Sequence, residues 1–341
     1  MNRRTAFSLT ELMITIACTS IVFSLALPHV QQQRENARTL LCERRLTQVG
    51  LDALDFEDRF GLLPAQLGEP GVVFFGDWTS SFSDGYFATN QYASPLARIT
   101  AANEPLRIAP EFTDASITEL EIPYYELIGW DQLLLTERPE FRCPSDQLDP
   151  LNVSSRYSVG VQPIHYGEIF HQDYLGYLAG ELGVEYGYTN FVGCLGASTG
   201  GSQRAESGNP DSLWRYRGLM TSREKVNSAF VFEGDGMSST IMFGENIGSV
   251  EQTPSGLDVS LRQSWMGGAL ARGRGTAHWM TNGNVDNPML GSPDKSSNWG
   301  FGSAHRNKVN FVMGDGAIRP LDRSIDWLPY YQMCGAYDTW E

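Results

Sequence analysis

The stretch FSLTELMITIACTSIVFSLAL, residues 7–27, decides the fold. It is mostly apolar, with scattered serine and threonine and a single charged side chain, Glu11. A helix of this length reaches ~32 Å at ~1.5 Å per residue, which is about the thickness of a bilayer's hydrocarbon core. We therefore predict that residues 7–28 form a membrane-spanning helix behind the short basic segment MNRRTA, residues 1–6.

Glu11 is the informative exception in this apolar run. A carboxylate at mid-membrane costs roughly 2.5–3.5 kcal/mol on insertion scales, and such residues usually have a functional partner. Two arginines precede the run and Glu11 follows Phe7 by four positions, an arrangement that resembles the prepilin leader of type IV pilins and type II secretion pseudopilins. The resemblance implies cleavage between Ala6 and Phe7 and N-methylation of Phe7. The chain departs from those families at Ala6, where they prefer glycine.

The same resemblance implies how the chain is held and what it meets. Glu11 would become the fifth residue of the cleaved chain and act in assembly, and Pro28 would kink or locally melt the helix. The implied partners are a prepilin peptidase and methylase, other pilin or pseudopilin subunits, and membrane lipid around residues 7–28. The implied location is the inner membrane, crossed once, with the globular domain in the periplasm or at the cell surface.

Two other interpretations of the N-terminus stay open. A secretory signal peptide would be cut after Ser24-Leu25-Ala26, which has small residues at the required spacing. A plain signal anchor would span the membrane without being cut. Glu11 interrupts the apolar region that either of these would need, so the prepilin-type leader is the preferred interpretation.

A helical pattern continues beyond the membrane segment, over residues 29–61. One apolar stripe runs through Val30, Ala37 and Leu41, and an alternating three- and four-residue spacing then follows through Leu46, Val49, Ala53, Phe56 and Phe60. Gly61 and Pro64 predict the end of the helix. We expect this amphipathic half to lie on a globular domain, residues 62–341.

The globular domain is predicted to be rich in β-strands. Val309–Met313, the turn Gly314-Asp315-Gly316 and the segment 317–321 are typical of a β-hairpin. Phe230-Val231-Phe232, a second GDG sequence and STIMFGE suggest a duplicate of that hairpin. The predicted fold class is α+β: a long transmembrane and amphipathic helix packed on an antiparallel, insertion-rich, pilin-like β-sheet domain.

Several further strings together resemble one bacterial family, which couples a prepilin leader to a large domain of unknown function. That family ends in a His-x9-Asp-Gly motif, represented here by His305, Asp315 and Gly316. The other matching strings are GWDQLLL from residue 129, FRCPSD from 141, YTNFVGCLG from 188 and GDGMSSTIMFGE from 234. Residues 66–120 and 146–185 show no such match and are interpreted as insertions.

Cysteine usage predicts a disulfide if the domain is extracytoplasmic, where such bonds persist. Cys18 lies in the membrane segment and is expected to be a small buried hydrophobe. The other four cysteines allow three complete pairings, which sequence does not distinguish. We expect a bond between two of Cys42, Cys143 and Cys194, with Cys42–Cys143 preferred.

The sequence suggests little chemistry in the domain. Residues 196–200, GASTG, have the Gly-x-Ser-x-Gly spacing of a nucleophile motif, but they lie in a predicted loop (193–210) without the strand–turn–helix setting that such a serine needs. His305 and Asp315 are interpreted as architectural, with His305 capping or bonding to the Asp315-Gly316 turn. We expect no catalytic residue, no cofactor and no metal, apart from calcium candidates at Asp235 and Asp315.

Charge narrows the function classes that remain. The net charge of −15 repels phosphate, which argues against binding of nucleic acid. The expected function is a non-enzymatic structural or assembly subunit, a minor pilin or pseudopilin, of a type IV pilus or type II secretion-like filament. Two alternatives are a membrane-anchored module that binds glycan or solute without polymerising and, as the least favoured, an anchored hydrolase.

Overall fold

The structure is a computed structural model. It describes residues 8–64, 94–103, 136–146, 155–166, 169–173, 187–194, 218–220, 227–232, 234–252, 258–265, 270–271, 300–305 and 307–335. The predicted cleavage and methylation site, Ala6 and Phe7, lies outside these residues, as do most of the two predicted insertions.

The described helices and strands follow one another in mixed order. The helices are α1 (Leu9–Phe60), α2 (Pro95–Asn103), α3 (Ser228–Phe232) and α4 (Trp327–Cys334), with a 3-10 helix at Pro139–Phe141. The strands are β1 (Ser155–Tyr166), β2 (Ile169–Asp173), β3 (Tyr188–Thr189), β4 (Phe191–Cys194), β5 (Ile241–Glu245), β6 (Ser249–Gln252), β7 (Asp258–Ser264), β8 (Leu270–Ala271), β9 (Lys308–Met313) and β10 (Ile318–Asp322).

Helix α1 is one continuous element of 52 residues. Ser8 caps its N-terminus in a capping box with Glu11. The capping box gives hydrogen-bond acceptors to backbone N–H groups that have none within the helix. Gly61 ends it in the left-handed conformation, φ 74°, and donates its N–H to the Glu57 carbonyl at 2.7 Å. The predicted end at Phe60 is therefore confirmed. The helix runs through Pro28 without interruption, so local melting at that proline does not occur.

The two halves of α1 differ in what surrounds them. Apolar side chains of the first half are exposed, and this helix is long and apolar enough to cross a membrane. Burial begins in the second half, on a face that holds Cys42, Leu46, Val49, Gly50, Ala53 and Phe56. Their spacing of three and four residues keeps them on one side of a 3.6-residue turn.

The stripe of Val30, Ala37 and Leu41 does not continue that buried face. All three residues are exposed, Val30 at 48% and Leu41 at 39%. At ~100° per residue this stripe is centred roughly 130° around the helix from the middle of the buried face. The interpretation of the two stripes as one continuous stripe was wrong. Each has helical spacing, but the two lie on different sides of the helix.

The sheet that receives α1 has the strand order β10-β9-β5-β4-β8. Neighbouring strands are antiparallel, except that the edge pair β4 and β8 is parallel. Helix α1 lies against β5 and β9 at the centre of this sheet. The predicted α+β class, a long helix on a mainly antiparallel sheet, is therefore confirmed.

A second sheet has the order β2-β1-β7-β3, with β6 also paired to β7. Strands β1 and β7 are parallel, and the other pairs are antiparallel. Sequence analysis did not predict this sheet, which draws on one of the segments interpreted as insertions.

The predicted hairpin around Gly314-Asp315-Gly316 is present as β9 and β10. Met313 donates its N–H to the Ala317 carbonyl at 2.9 Å, and Ala317 donates to Asp315 Oδ1 at 2.9 Å. Gly316 has φ 82°, a region that disfavours residues with a Cβ. The chain folds back here because aspartate and glycine close the turn together.

The second predicted hairpin is wrong in its first half. Residues 228–232 form the short helix α3 instead of a strand, and only Ile241–Glu245 is a strand. A three-residue apolar run such as Phe230-Val231-Phe232 has no decisive period, so tertiary contacts choose its conformation. Ser228, at the start of α3, donates its backbone N–H to the Glu57 carboxylate of α1, which favours a helix N-terminus there.

Candidate functional site

Four side chains from distant parts of the chain meet beside α1. They are Cys42, Cys143, Glu245 and His305, and their sulfur, oxygen and nitrogen atoms all lie within 4.8 Å of one another. Each residue is at most 5% exposed. We call these four residues the Cys-Glu-His cluster.

Cys42 and Glu245 come from the packed core. Cys42 lies on the buried face of α1, where it is the first residue of the stripe to be covered. Glu245 is the last residue of β5 and belongs to a strand that is buried along its whole length. Glu245 accepts a hydrogen bond from the Cys42 thiol, with 2.7 Å between Sγ and Oε1.

Cys143 is positioned by the irregular segment 136–146. Arg45 of α1 donates to the Arg142 carbonyl at 2.8 Å, which holds this segment to the helix. The Cys143 N–H donates to Asn190 Oδ1 at 2.9 Å. Asn190 is itself buried, and it donates its amide to Asp146 at 2.6 Å and to the Asn246 carbonyl at 3.1 Å. Asn190 therefore ties Cys143 to the end of β5.

His305 lies in the segment that leads into β9. Its N–H donates to Ser303 Oγ at 3.0 Å, and its carbonyl accepts from Arg323 at 2.8 Å. The ring Nε2 faces the interior of the cluster, 3.4 Å from Cys143 Sγ and 3.3 Å from Glu245 Oε1.

The other ring nitrogen of His305 faces oxygen atoms of α1. Nδ1 lies 3.2 Å from Glu35 Oε1 and 3.1 Å from Thr39 Oγ1. The Thr39 hydroxyl hydrogen is directed to the Glu35 carbonyl at 3.0 Å, so Thr39 offers Nδ1 a lone pair. Because both neighbours are acceptors, Nδ1 carries a proton. These contacts fix the ring with Nδ1 toward α1 and Nε2 toward the cluster.

Glu245 is also held from its far side. Asn310 on the adjacent strand β9 donates its backbone N–H to Oε2 at 2.9 Å and its side-chain amide to Oε1 at 3.1 Å. These bonds explain how a carboxylate stays ionised at a fully buried position.

Electrostatics divide the four groups into distinct protonation states. Burial raises the pKa of the Cys42 thiol, so Cys42 stays neutral. The neighbouring Cys42 side chain, together with a hydrogen bond from His305, lowers the pKa of Cys143 to about 6. Burial disfavours the charged form of His305, but its hydrogen bonds to Cys143 and Glu245 outweigh that effect and raise its pKa to about 10. Burial likewise acts against ionisation of Glu245, but the His305 hydrogen bond and charge and the Asn310 N–H bring its pKa below the usual value.

The predicted disulfide is not confirmed. Cys42, Cys143 and Cys194 are free buried thiols in the structure, and Cys18 is free and exposed. The preferred pair, Cys42 and Cys143, is nevertheless brought together within the cluster. Cys194 lies apart from it, with its thiol 3.6 Å from the carbonyl of Cys334.

The residues of the His-x9-Asp-Gly motif do not act as one unit. The ring of His305 contacts Thr39, Glu35 and the cluster, whereas Asp315 is exposed and bonds to Ala317 within its own turn. The prediction that His305 bonds to the turn was wrong, because the hairpin extends away from the residue that precedes it. Asp235 and Asp315, the calcium candidates, are not members of the cluster.

The remaining predicted site residues lie on α1. Glu11 accepts from the Ser8 N–H at 2.9 Å in the capping box, and Pro28 sits within the continuous helix. The predicted roles of both in assembly stay predictions.

Sequence reasoning missed Glu245, Asn190 and Asn310. A signal was present, because three of the matching strings each supply one member of the site: FRCPSD holds Cys143, YTNFVGCLG holds Asn190 and GDGMSSTIMFGE ends in Glu245. The string FGSAHRNKVNFVMGDGAIRPL holds both His305 and Asn310. Strings scattered in sequence thus converge on one buried position.

Comparison with known proteins places most of the chain in a protein family. A family model described as "Protein of unknown function (DUF1559)" matches residues 31–328, a span that includes the whole Cys-Glu-His cluster. No curated protein and no solved structure matches the chain.

Proposed function

The chain belongs to the family of proteins of unknown function DUF1559, and on that premise we propose that it is a non-enzymatic structural or assembly subunit of a membrane-anchored filament. Its closest functional class is the minor pilin or pseudopilin of a type IV pilus or type II secretion-like system. Its partners are a prepilin peptidase and methylase and other pilin or pseudopilin subunits, and it binds no nucleic acid. It crosses the inner membrane once, and its domain lies in the periplasm or at the cell surface.

Continuity of helix α1 is the observation that carries this proposal. The same 52-residue helix is apolar and exposed at its start and is packed on the core sheet at its end. At ~1.5 Å per residue it is ~78 Å long, enough to cross a bilayer and still support the domain. A detachable signal peptide needs no such rigid connection to the core.

The exposed face of the second half of α1 gives further support. Leu40, Leu41 and Leu51 are exposed at 66%, 39% and 49%, on the side roughly opposite the buried face. Apolar side chains on the outer side of a spine helix suit contacts between the helices of neighbouring subunits.

Burial of the Cys-Glu-His cluster supports a function other than catalysis. A thiolate beside an imidazolium resembles the nucleophile and base of a cysteine hydrolase. Here Cys143 is 5% exposed and His305 is 2% exposed, so both side chains are buried. Reactive cysteines need access to substrate, and inert ones are buried. We therefore assign the cluster no catalytic role.

The decisive variant pair for this proposal is Glu11→Gln and Glu11→Val. Gln at this helix position retains the capping-box hydrogen bond to Ser8 but removes the charge, whereas Val removes both. If the Glu11 charge pairs with a neighbouring subunit's terminal amine, both variants insert into the membrane but fail to enter cross-linked oligomers. If Glu11 serves only as a cap, Glu11→Gln assembles at the wild-type level, and the proposed role in assembly is wrong.

A further inference from the structure

We infer that the Cys-Glu-His cluster is a structural binding site for a divalent transition-metal ion, with zinc(II) as the chemical class that fits it. The inference is independent of the filament proposal, because it concerns how the domain is held together. It rests on the donor set, the spacing of the donor atoms and the groups that orient them.

The donor set suits zinc. Two cysteine sulfurs, one imidazole nitrogen and one carboxylate oxygen are ligands that zinc takes in tetrahedral sites. Sulfur donors select against the hard cations calcium and magnesium, which prefer oxygen. All four residues are buried, which is the arrangement of a closed structural site without an open position for substrate.

Spacing of the donor atoms agrees with one shared ion. Tetrahedral zinc bonds of ~2.0–2.3 Å place the ligand atoms ~3.3–3.8 Å apart. Nε2 of His305 lies 3.4 Å from Cys143 Sγ and 3.3 Å from Glu245 Oε1. The Cys42 Sγ–Glu245 Oε1 distance is 2.7 Å and would have to widen by less than ~1 Å.

Orientation of the histidine follows the usual pattern for a metal ligand. Metal-bound imidazole commonly donates its second N–H to a carboxylate, which fixes the ring. Here Nδ1 is 3.2 Å from Glu35, whose Oε1 also accepts from Ser145 at 2.6 Å. Nε2 is thereby directed at the other three donors. Glu245 is fixed in the same way by its two bonds from Asn310.

Metal binding has a simple proton balance. Both cysteines would bind as thiolates and His305 through an unprotonated Nε2, so any proton on these three atoms goes to solvent as the ion binds. The bound ion would join α1, segment 136–146, β5 and the segment before β9, four parts of the chain that are far apart in sequence.

Full-length protein, extracted in detergent without reductant or chelator, provides the test. We expect about one zinc per chain by elemental mass spectrometry. Replacement by cobalt(II) should give the thiolate-to-metal charge-transfer absorption of a tetrahedral site. The variant C18A/C194A/C334A keeps Cys42 and Cys143 as its two thiols, and it should retain both the zinc and the absorption.

A second pair of variants tests the orienting carboxylate without removing a ligand. Glu35→Gln should weaken zinc affinity roughly 10–100-fold, as loss of such an outer partner does in known sites. Glu43→Gln is the matched control on the same helix, because Glu43 pairs with Lys308 at 2.9 Å. The zinc affinity of this variant should equal that of the wild type.

Two results would overturn the inference. One is a folded wild-type chain, judged by circular dichroism, that binds neither zinc nor cobalt. The other is a Cys42–Cys143 disulfide found by peptide mapping in the chain as extracted. Equal zinc affinity of Glu35→Gln and Glu43→Gln would refute the orienting role of Glu35 even if metal binds.

Discussion

At the scale of single residues, Gly316 shows how a sequence signal can dictate geometry. Its φ of 82° closes the β9–β10 turn, and a Cβ at this position would lie 3.4 Å from Leu54 and 3.5 Å from Leu51 of α1. The contacts are therefore tolerable and the backbone conformation is the larger obstacle. The sequence Asp315-Gly316 was sufficient to predict this turn, because its cause is local.

Replacing Gly316 should consequently destabilise the domain through the backbone. We expect Gly316→Val to lower the free energy of unfolding by ~1 kcal/mol or more, because β-branched residues disfavour positive φ. Gly316→Asn should cost less, since asparagine tolerates the left-handed region. Chemical denaturation of the two variants checks this, and equal losses would point to side-chain crowding instead.

His305 illustrates the opposite case at the same scale. Its partners Cys143, Glu245 and Glu35 lie at sequence separations of 162, 60 and 270 residues, respectively. Local pattern suggested the nearby Asp315 turn, yet the ring is held by groups that only the folded sheet and helix bring together. The predicted disulfide between Cys42 and Cys143 is not confirmed, and sequence did not reveal that a carboxylate and an imidazole lie beside these two cysteines.

At the scale of elements, helix α1 was the most predictable part of the chain. Its apolar spacing, its length and the glycine that ends it could all be identified in the sequence, and the helix ends at Phe60 as predicted. What could not be predicted was which of two apolar stripes the sheet would cover. That choice depends on where β5 and β9 lie, and the sequence of α1 alone carries no information about the positions of those strands.

The two stripes predict different outcomes for similar substitutions. Leu46 is fully buried against the sheet, so Leu46→Ala should cost ~2–5 kcal/mol in unfolding free energy through a cavity in the core. Leu40 is 66% exposed, so Leu40→Ala should change stability by less than ~0.5 kcal/mol. Denaturant unfolding of both full-length variants in detergent makes the comparison. Similar losses for the two would contradict the described packing of α1.

Helix α3 marks the limit of prediction for short elements. Five residues beginning at Ser228 form a helix where an apolar run suggested a strand. The N-terminal contact with Glu57 and burial of Val231 decide the outcome, and both depend on α1 being in place. The predicted duplication of the hairpin was therefore wrong, because the two segments share the GDG residues but not the strand before them.

At the scale of the whole molecule, the α+β architecture followed from the order of its parts. A long helix and then many short apolar runs separated by glycine and asparagine favour a helix on an antiparallel sheet. The parallel pairs β1–β7 and β4–β8 escaped prediction, because they join segments separated by long stretches of chain. The family strings gave no function, but those that hold Cys143, Glu245 and His305 converge on the Cys-Glu-His cluster.

The N-terminal residue of the processed chain shows whether α1 is the spine of a prepilin-type subunit. Membrane-extracted full-length protein should be digested and its N-terminal peptide sequenced by tandem mass spectrometry. We expect a chain that begins at Phe7 with a methylated amine and contains Glu11 as its fifth residue. An intact Met1 would indicate a plain anchor, a start at Leu27 would indicate a cleaved signal peptide, and either result would contradict the claim.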